Sequence, residues 1–141
     1  MLYPLLPRMT REEMMQFDRL RWLSYSINTC QNWMIQYIDD RNKRLVLRGK
    51  TERRRLEAIE ALDALKAQTP NDARAIKDAE VEVNNCDKML TRVNAELEEI
   101  ARKDGLTART FKALDEQYSQ IREDFPNSWQ ALLNFDNVQR R

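Results

Sequence analysis

The chain has 141 residues, a third of them charged, and its 24 basic and 23 acidic residues leave a formal net charge of only +1. This near-neutral balance excludes a strong overall field that would draw the protein to nucleic acid or a membrane surface. Two glycines, four prolines and no histidine leave too few turn residues for a many-stranded sheet and remove the commonest general base and metal ligand. We therefore predict an all-α, non-catalytic protein with no cofactor, metal or small-molecule substrate.

The first nine residues predict an apolar N-terminal arm, residues 1–9. The arm contains two prolines and lacks a basic leader, so we do not interpret it as a secretory signal peptide. The apolar runs elsewhere are much shorter than the roughly 20 residues that a membrane-spanning helix needs. We expect no membrane partner.

A long first helix is predicted over residues 10–68. Thr10 and Glu13 have the spacing of a capping box, in which each side chain accepts a hydrogen bond from the other residue's backbone N–H. No residue before Pro70 ends the helix, although Gly49 weakens it by about 1 kcal/mol relative to alanine and is a candidate kink.

The second helix, predicted over residues 72–103, carries the clearest periodic pattern in the sequence. Its apolar residues recur with the 3,4 spacing of four unbroken heptads, which predicts a coiled-coil strand. Glycine favours the conformation in which helices end, so we expect this helix to stop at Asp104-Gly105. The eight residues of this heptad seam are Ile76, Ala79, Val83, Cys86, Leu90, Val93, Leu97 and Ile100.

A third helix over residues 107–124 and a C-terminal aromatic segment, 126–141, complete the predicted elements. The short turn before Asn71 favours an antiparallel hairpin in which opposed residues have numbers summing to about 140, so that Leu56 lies near Val83. The predicted architecture is a single elongated helical domain, residues 1–141. It consists of a long coiled-coil hairpin, a return leg broken at Gly105 and a small aromatic headpiece near the two termini.

Eight basic residues and a single acid lie between residues 41 and 55. Four of the arginines fall within about 60° of one helix face, an arrangement that would let a helix follow a phosphate backbone. The predicted hairpin also sets this segment opposite acids such as Asp87 and Glu96. We favour acidic groups over nucleic acid as the ligands of this arginine stripe, which consists of Arg41, Arg44, Arg48 and Arg55.

Aromatic residues predict a second binding surface. On the first helix, Met15, Trp22 and Trp33 lie roughly 110° from the apolar side that faces the hairpin partner. Exposed Trp and Met are typical of contact surfaces, so either the chain's own terminal segments or a partner should cover them. The partner-docking candidates are Met15, Trp22, Trp33, Trp129 and Phe135.

The two cysteines, Cys30 and Cys86, occupy core-like positions and match no metal-ligand spacing. We expect free thiols, which favour a reducing compartment: the cytoplasm, or a virus particle or other large assembly built there.

These observations favour a structural or adaptor subunit that docks into a larger protein assembly through coiled-coil and aromatic helical surfaces. Its partners would be other protein subunits, including copies of itself. Two alternatives stay open: a nucleic-acid-binding helical protein that uses the basic segment 41–55, and a small helical chaperone.

Overall fold

A computed structural model describes residues 8–139, with side chains through residue 136. These residues form three helices and no strand: α1 (Arg11–Gln68), α2 (Ala73–Asp124) and α3 (Pro126–Gln139). The all-α prediction is confirmed. Of the predicted arm, residues 1–7 lie outside the described residues.

The helix ends have local causes in the sequence. Both hydrogen bonds of the Thr10–Glu13 capping box are present, at 2.9 and 3.1 Å. The Asp72 carboxylate accepts a hydrogen bond from the Ala75 backbone N–H at 3.2 Å and so caps α2. Proline disfavours helical backbone in the residue before it and suits the first position of a helix, so Pro126 ends α2 and begins α3.

The predicted break at Gly105 is wrong. The segments predicted as separate helices, 72–103 and 107–124, belong to the continuous helix α2, and α1 likewise passes through Gly49 without interruption. Neither glycine has a positive φ. A helical glycine costs about 1 kcal/mol, which packing of the flanking turns outweighs. The C-terminal segment is also helical through Gln139.

The chain divides into two compact units, where the sequence predicted one domain. The two-helix unit comprises Gln36–Lys103. The three-helix unit comprises Met1–Ile35 and Asp104–Arg141, of which residues 8–35 and 104–139 are described.

In the two-helix unit, ion pairs connect α1 to α2. Arg44 pairs with Glu96, Arg55 with Asp87, and Lys66 with Glu80. Residue numbers thus rise along α1 as they fall along α2. This is the order of antiparallel helices.

The interior of the two-helix unit is narrow. Cys86 and Val93 on α2 and Thr51 and Ala58 on α1 are its buried residues, and the other six residues of the heptad seam are half-buried. Leu56 is 59% exposed and does not belong to this interior, so its predicted position near Val83 stays a prediction. The buried positions of α1 here are Thr51 and Ala58.

The three-helix unit has a closed core. Phe17 and Leu20 of α1 pack with Ala131 and Leu132 of α3, and each is buried. Side chains from all three helices surround this cluster, together with Met9 just before α1; they are Met9, Tyr118, Ile121, Trp129 and Phe135. The fully buried Ser128 hydroxyl donates to the Glu13 carbonyl oxygen at 2.7 Å, which ties α3 to the first turn of α1.

Candidate interaction surfaces

Most of the arginine stripe lies along the contact side of α1. Counting back from the half-buried Leu62 and Leu65 in steps of three and four residues reaches Ala58, Arg55, Thr51, Arg48 and Arg44. Arg44, Arg48 and Arg55 are half-buried, and Arg41 is exposed. Three of the four stripe residues therefore occupy heptad positions, where the aliphatic stem of an arginine can cover apolar surface while its charged head reaches outward.

The charged heads of these arginines meet polar groups of α2. The Arg44 guanidinium donates to Glu96 at 2.5 Å, and Arg55 donates to Asp87. Arg48 reaches Asn94 at 3.5 Å. Hydrogen bonds, first from Arg44, lower the pKa of Glu96 below its ordinary value of 4.5, so Glu96 remains an anion at neutral pH.

The neighbouring Arg54 is also paired, with Glu82 at 2.5 Å. Among the non-seam residues between positions 76 and 100 of α2, Glu82, Asp87 and Glu96 are half-buried and the remainder are exposed. These three half-buried acids lie beside the seam, and each accepts a hydrogen bond from an arginine of α1.

The remaining cations of the basic segment do not converge. Within the described residues, Arg41, Lys50 and Arg53 have no ion pair and are exposed. At 100° per residue, Arg41 and Lys50 project from opposite sides of α1. They do not form a row that could follow a phosphate backbone.

The aromatic docking candidates separate into two groups. Trp129 and Phe135 pack against the core of the three-helix unit, where the Phe135 ring meets Phe17 edge to face at a centroid distance of 6.0 Å. Met15, Trp22 and Trp33 stay 62%, 60% and 54% exposed. Within the described residues, α3 thus packs on a different side of α1, and the two α1 tryptophans stay more than half exposed.

Tyr25, 73% exposed, extends this surface, which we call the aromatic face: Met15, Trp22, Tyr25 and Trp33, with Ser26 and Thr29 between them. The run from Trp22 to Ile38 contains no charged residue, although a third of the chain is charged. Depletion of charge together with enrichment of Trp, Tyr and Met is the composition of an interface core. This long uncharged run marks the surface in the sequence, whereas the spacing of apolar residues alone does not reveal it.

A groove of about 710 Å³ lies beside the aromatic face in the three-helix unit. Arg21, Asn28 and Gln31 of α1 line one side of it, and Phe135 and Asp136 of α3 line the other. The Arg21 guanidinium lies over the Phe135 ring, 4.5 Å from its centroid, in a cation–π contact between the two helices.

Chemically reactive groups are sparse in the described part of the chain. No cluster of acids and cysteines there could hold a metal ion. Cys30 and Cys86 are free thiols, half-buried and buried respectively.

Comparison with known proteins identified no matching family model, curated protein or solved structure. No described helix is long and apolar enough to cross a membrane.

Proposed function

We propose that the chain is a non-catalytic structural or adaptor subunit of a larger protein assembly, in a reducing compartment. The single observation that carries this proposal is the aromatic face. Two tryptophans, a tyrosine and a methionine, each more than half exposed, share one side of α1 in the three-helix unit. Apolar patches of this kind mark protein interaction sites.

In this proposal the two-helix unit is an antiparallel coiled-coil arm. All eight heptad positions on α2 are buried or half-buried, which is the pattern of a packed seam. The flanking ion pairs Arg44–Glu96 and Arg55–Asp87 connect α1 and α2 at two positions along the arm. The packed side chains at the ends of the chain, Trp129 and Phe135, would form the small headpiece.

Nucleic-acid binding is the weaker alternative. Three of the four stripe arginines contact side chains of α2, and each would have to exchange that contact for a phosphate. The charge available for counterion release is correspondingly small.

The test is site-specific photo-cross-linking in the cells that produce the protein. A photoreactive amino acid replaces Trp22 in one variant and Leu56, equally exposed at 59% but outside the aromatic face, in the matched control. We expect discrete protein adducts from position 22 that are absent from position 56. In an extract of the same cells brought to roughly 0.5 M salt before irradiation, the same adducts should still form, because that salt would weaken phosphate contacts by orders of magnitude and hydrophobic contacts much less.

Nuclease-sensitive adducts that fail to form when high salt is present during irradiation would support the nucleic-acid alternative. Equal adduct patterns from the two positions, or no adduct from position 22, would contradict the docking proposal.

A further inference from the structure

We infer that the aromatic face receives a second copy of this chain, so that α1 of one protomer pairs antiparallel with α1 of its partner. This inference rests on the proposed assembly function and names the partner of the same surface. It follows from the area, the charge and the spacing of the aromatic face.

The area suits a small but specific interface. With roughly 150 to 250 Å² for an aromatic side chain, Trp22, Tyr25 and Trp33 expose roughly 400 Å² in total on each chain. Met15 brings the face to roughly 550 Å², so two faces present roughly 1,100 Å², just above the roughly 1,000 Å² expected of a biological interface. We therefore expect a weak dimer that depends on protein concentration.

The charge pattern permits self-association. A twofold interface brings the same patch of each chain together, so a charged patch would repel itself. Asp18, Arg19 and Arg21 are the charged residues between Met15 and Trp33, and at 100° per residue only Asp18 lies within the arc of the aromatic face. A strongly charged partner protein would find only Asp18 as a charged group there, whereas a second copy meets no like charge at the centre.

The spacing is self-complementary in an antiparallel register. Met15, Trp22 and Thr29 are seven residues apart, as are Asp18 and Tyr25. When two α1 helices lie antiparallel, residues of the first set on one chain pack against residues of the second set on the other chain. The numbers of two facing residues then sum to about 47 or 48. Trp22 of one chain then lies against Tyr25 and Ser26 of the other.

The same register brings large exposed side chains of the two copies into contact with one another. Met15 lies opposite Asn32 and Trp33 of the second copy. Asp18 lies opposite Thr29 and away from the second Asp18. The twofold axis passes between positions 23 and 24, which brings the two copies of Tyr25 close together.

The first experiment measures the mass of the purified full-length chain by light scattering after gel filtration, from about 5 to about 200 µM, the range suited to a weak interface. We expect the mass to rise from 16.9 kDa toward twice that value. The double variant W22A/W33A should weaken dimerisation at least tenfold. The matched control, Leu56→Ala, removes an equally exposed apolar residue outside the face and should dimerise like the unmodified chain.

A charge-swap experiment at Tyr25 tests the twofold geometry and leaves both tryptophans of the face in place. Tyr25→Arg and Tyr25→Glu should each be monomeric, because like charges meet near the axis. An equimolar mixture of the two should recover the dimer. Circular dichroism checks that both variants keep their helix content, as expected for a residue that is 73% exposed.

A monomer at all concentrations, a dimer unaffected by W22A/W33A, or no recovery in the mixture would overturn the self-pairing. Such a result leaves the proposed assembly function standing if position 22 still cross-links to a different protein in cells. Conversely, a dimer in solution without any cross-link in cells would contradict the assembly function and retain the self-pairing.

Discussion

The two units share the helices α1 and α2, but only one of them also contains α3, and they bury their side chains differently. In the two-helix unit the buried residues are small or medium in size: Thr51, Ala58, Cys86 and Val93. In the three-helix unit α3 closes over α1, and large side chains such as Phe17, Leu20 and Leu23 are buried. Two helices share one seam, whereas a third helix encloses a core. The two-helix unit accordingly depends more on its seam and on the ion pairs beside it.

The largest effect should come from Val93→Asp, which places a charge at a position that is 1% exposed. An unpaired buried charge costs about 3 to 5 kcal/mol. Urea unfolding followed by far-ultraviolet circular dichroism should show a markedly lower midpoint. The control is Val81→Asp on the same helix, 47% exposed, which should unfold almost like the unmodified chain. Equal effects of the two variants would refute the assignment of Val93 to the seam.

In the three-helix unit, Leu20→Ala should cost about 3 kcal/mol, because it leaves a cavity in a fully enclosed site. All three tryptophans of the chain, Trp22, Trp33 and Trp129, belong to this unit, so tryptophan fluorescence reports its unfolding. Leu106→Ala, at a site 47% exposed, is the control within the unit. We expect a lower fluorescence midpoint for Leu20→Ala, and an unchanged midpoint would show that the core tolerates the cavity.

Gly49→Ala and Gly105→Ala test one helical position in each unit and should each stabilise the protein by about 1 kcal/mol. Both glycines are helical, and a Cβ atom added at either site meets no heavy atom within 4 Å. Thermal melting should show a higher midpoint for both variants. Lower midpoints would mean that glycine is required at these positions in the folded chain.

The smallest effect should come from the ion pairs of the two-helix unit. Glu96→Gln removes the partner of Arg44 and Arg92, while Glu98→Gln removes an exposed acid with no ion pair among the described residues. The pKa of Glu96 is lowered by folding, so its contribution is present above the unfolded pKa and is lost as the pH falls through the folded value.

We therefore expect Glu96→Gln to be slightly less stable than Glu98→Gln at about pH 7, and the difference to become smaller at about pH 3 as the Glu96 carboxylate takes up protons. Urea midpoints at the two pH values measure this difference. If the difference between the two urea midpoints is the same at both pH values, the effect of Glu96→Gln does not come from the charge of Glu96.

Local patterns in the sequence predicted the features that depend on few residues. The Thr10–Glu13 spacing specified the start of α1, because a capping box needs only those two side chains. The Gly105 break was wrong because the helical preference of one residue is weak beside the packing of its neighbours. Leu56 was assigned to the seam by its hydrophobicity, although Thr51 and Ala58 hold the buried positions of α1 there.

The arginine stripe shows why the candidate sites were harder to predict. The charge and angular position of Arg44, Arg48 and Arg55 on one helix are compatible with a phosphate surface. Only the predicted hairpin, which sets them opposite acids of the second helix, favoured acidic ligands. The contacts of these arginines with Glu96, Asn94 and Asp87 depend on the level at which α2 lies beside α1, which periodicity within a single helix does not specify. The difference in burial between Trp129 and the two tryptophans of α1 has a similar origin. It depends on which side of α1 the helix α3 covers, and the sequence of α1 does not specify that side.

Because the Cys86 side chain is buried, the reactivity of its thiol reports the local opening of the two-helix unit. Its thiol is 2% exposed, so an alkylating reagent in solution can reach it only after the two helices separate locally. When the helices close again faster than the reagent reacts, the labelling rate is the product of the equilibrium constant for opening and the rate for an unprotected thiol. The ratio of the two labelling rates therefore gives that equilibrium constant. The native chain thus permits the local stability of this unit to be measured without denaturant and without an engineered label.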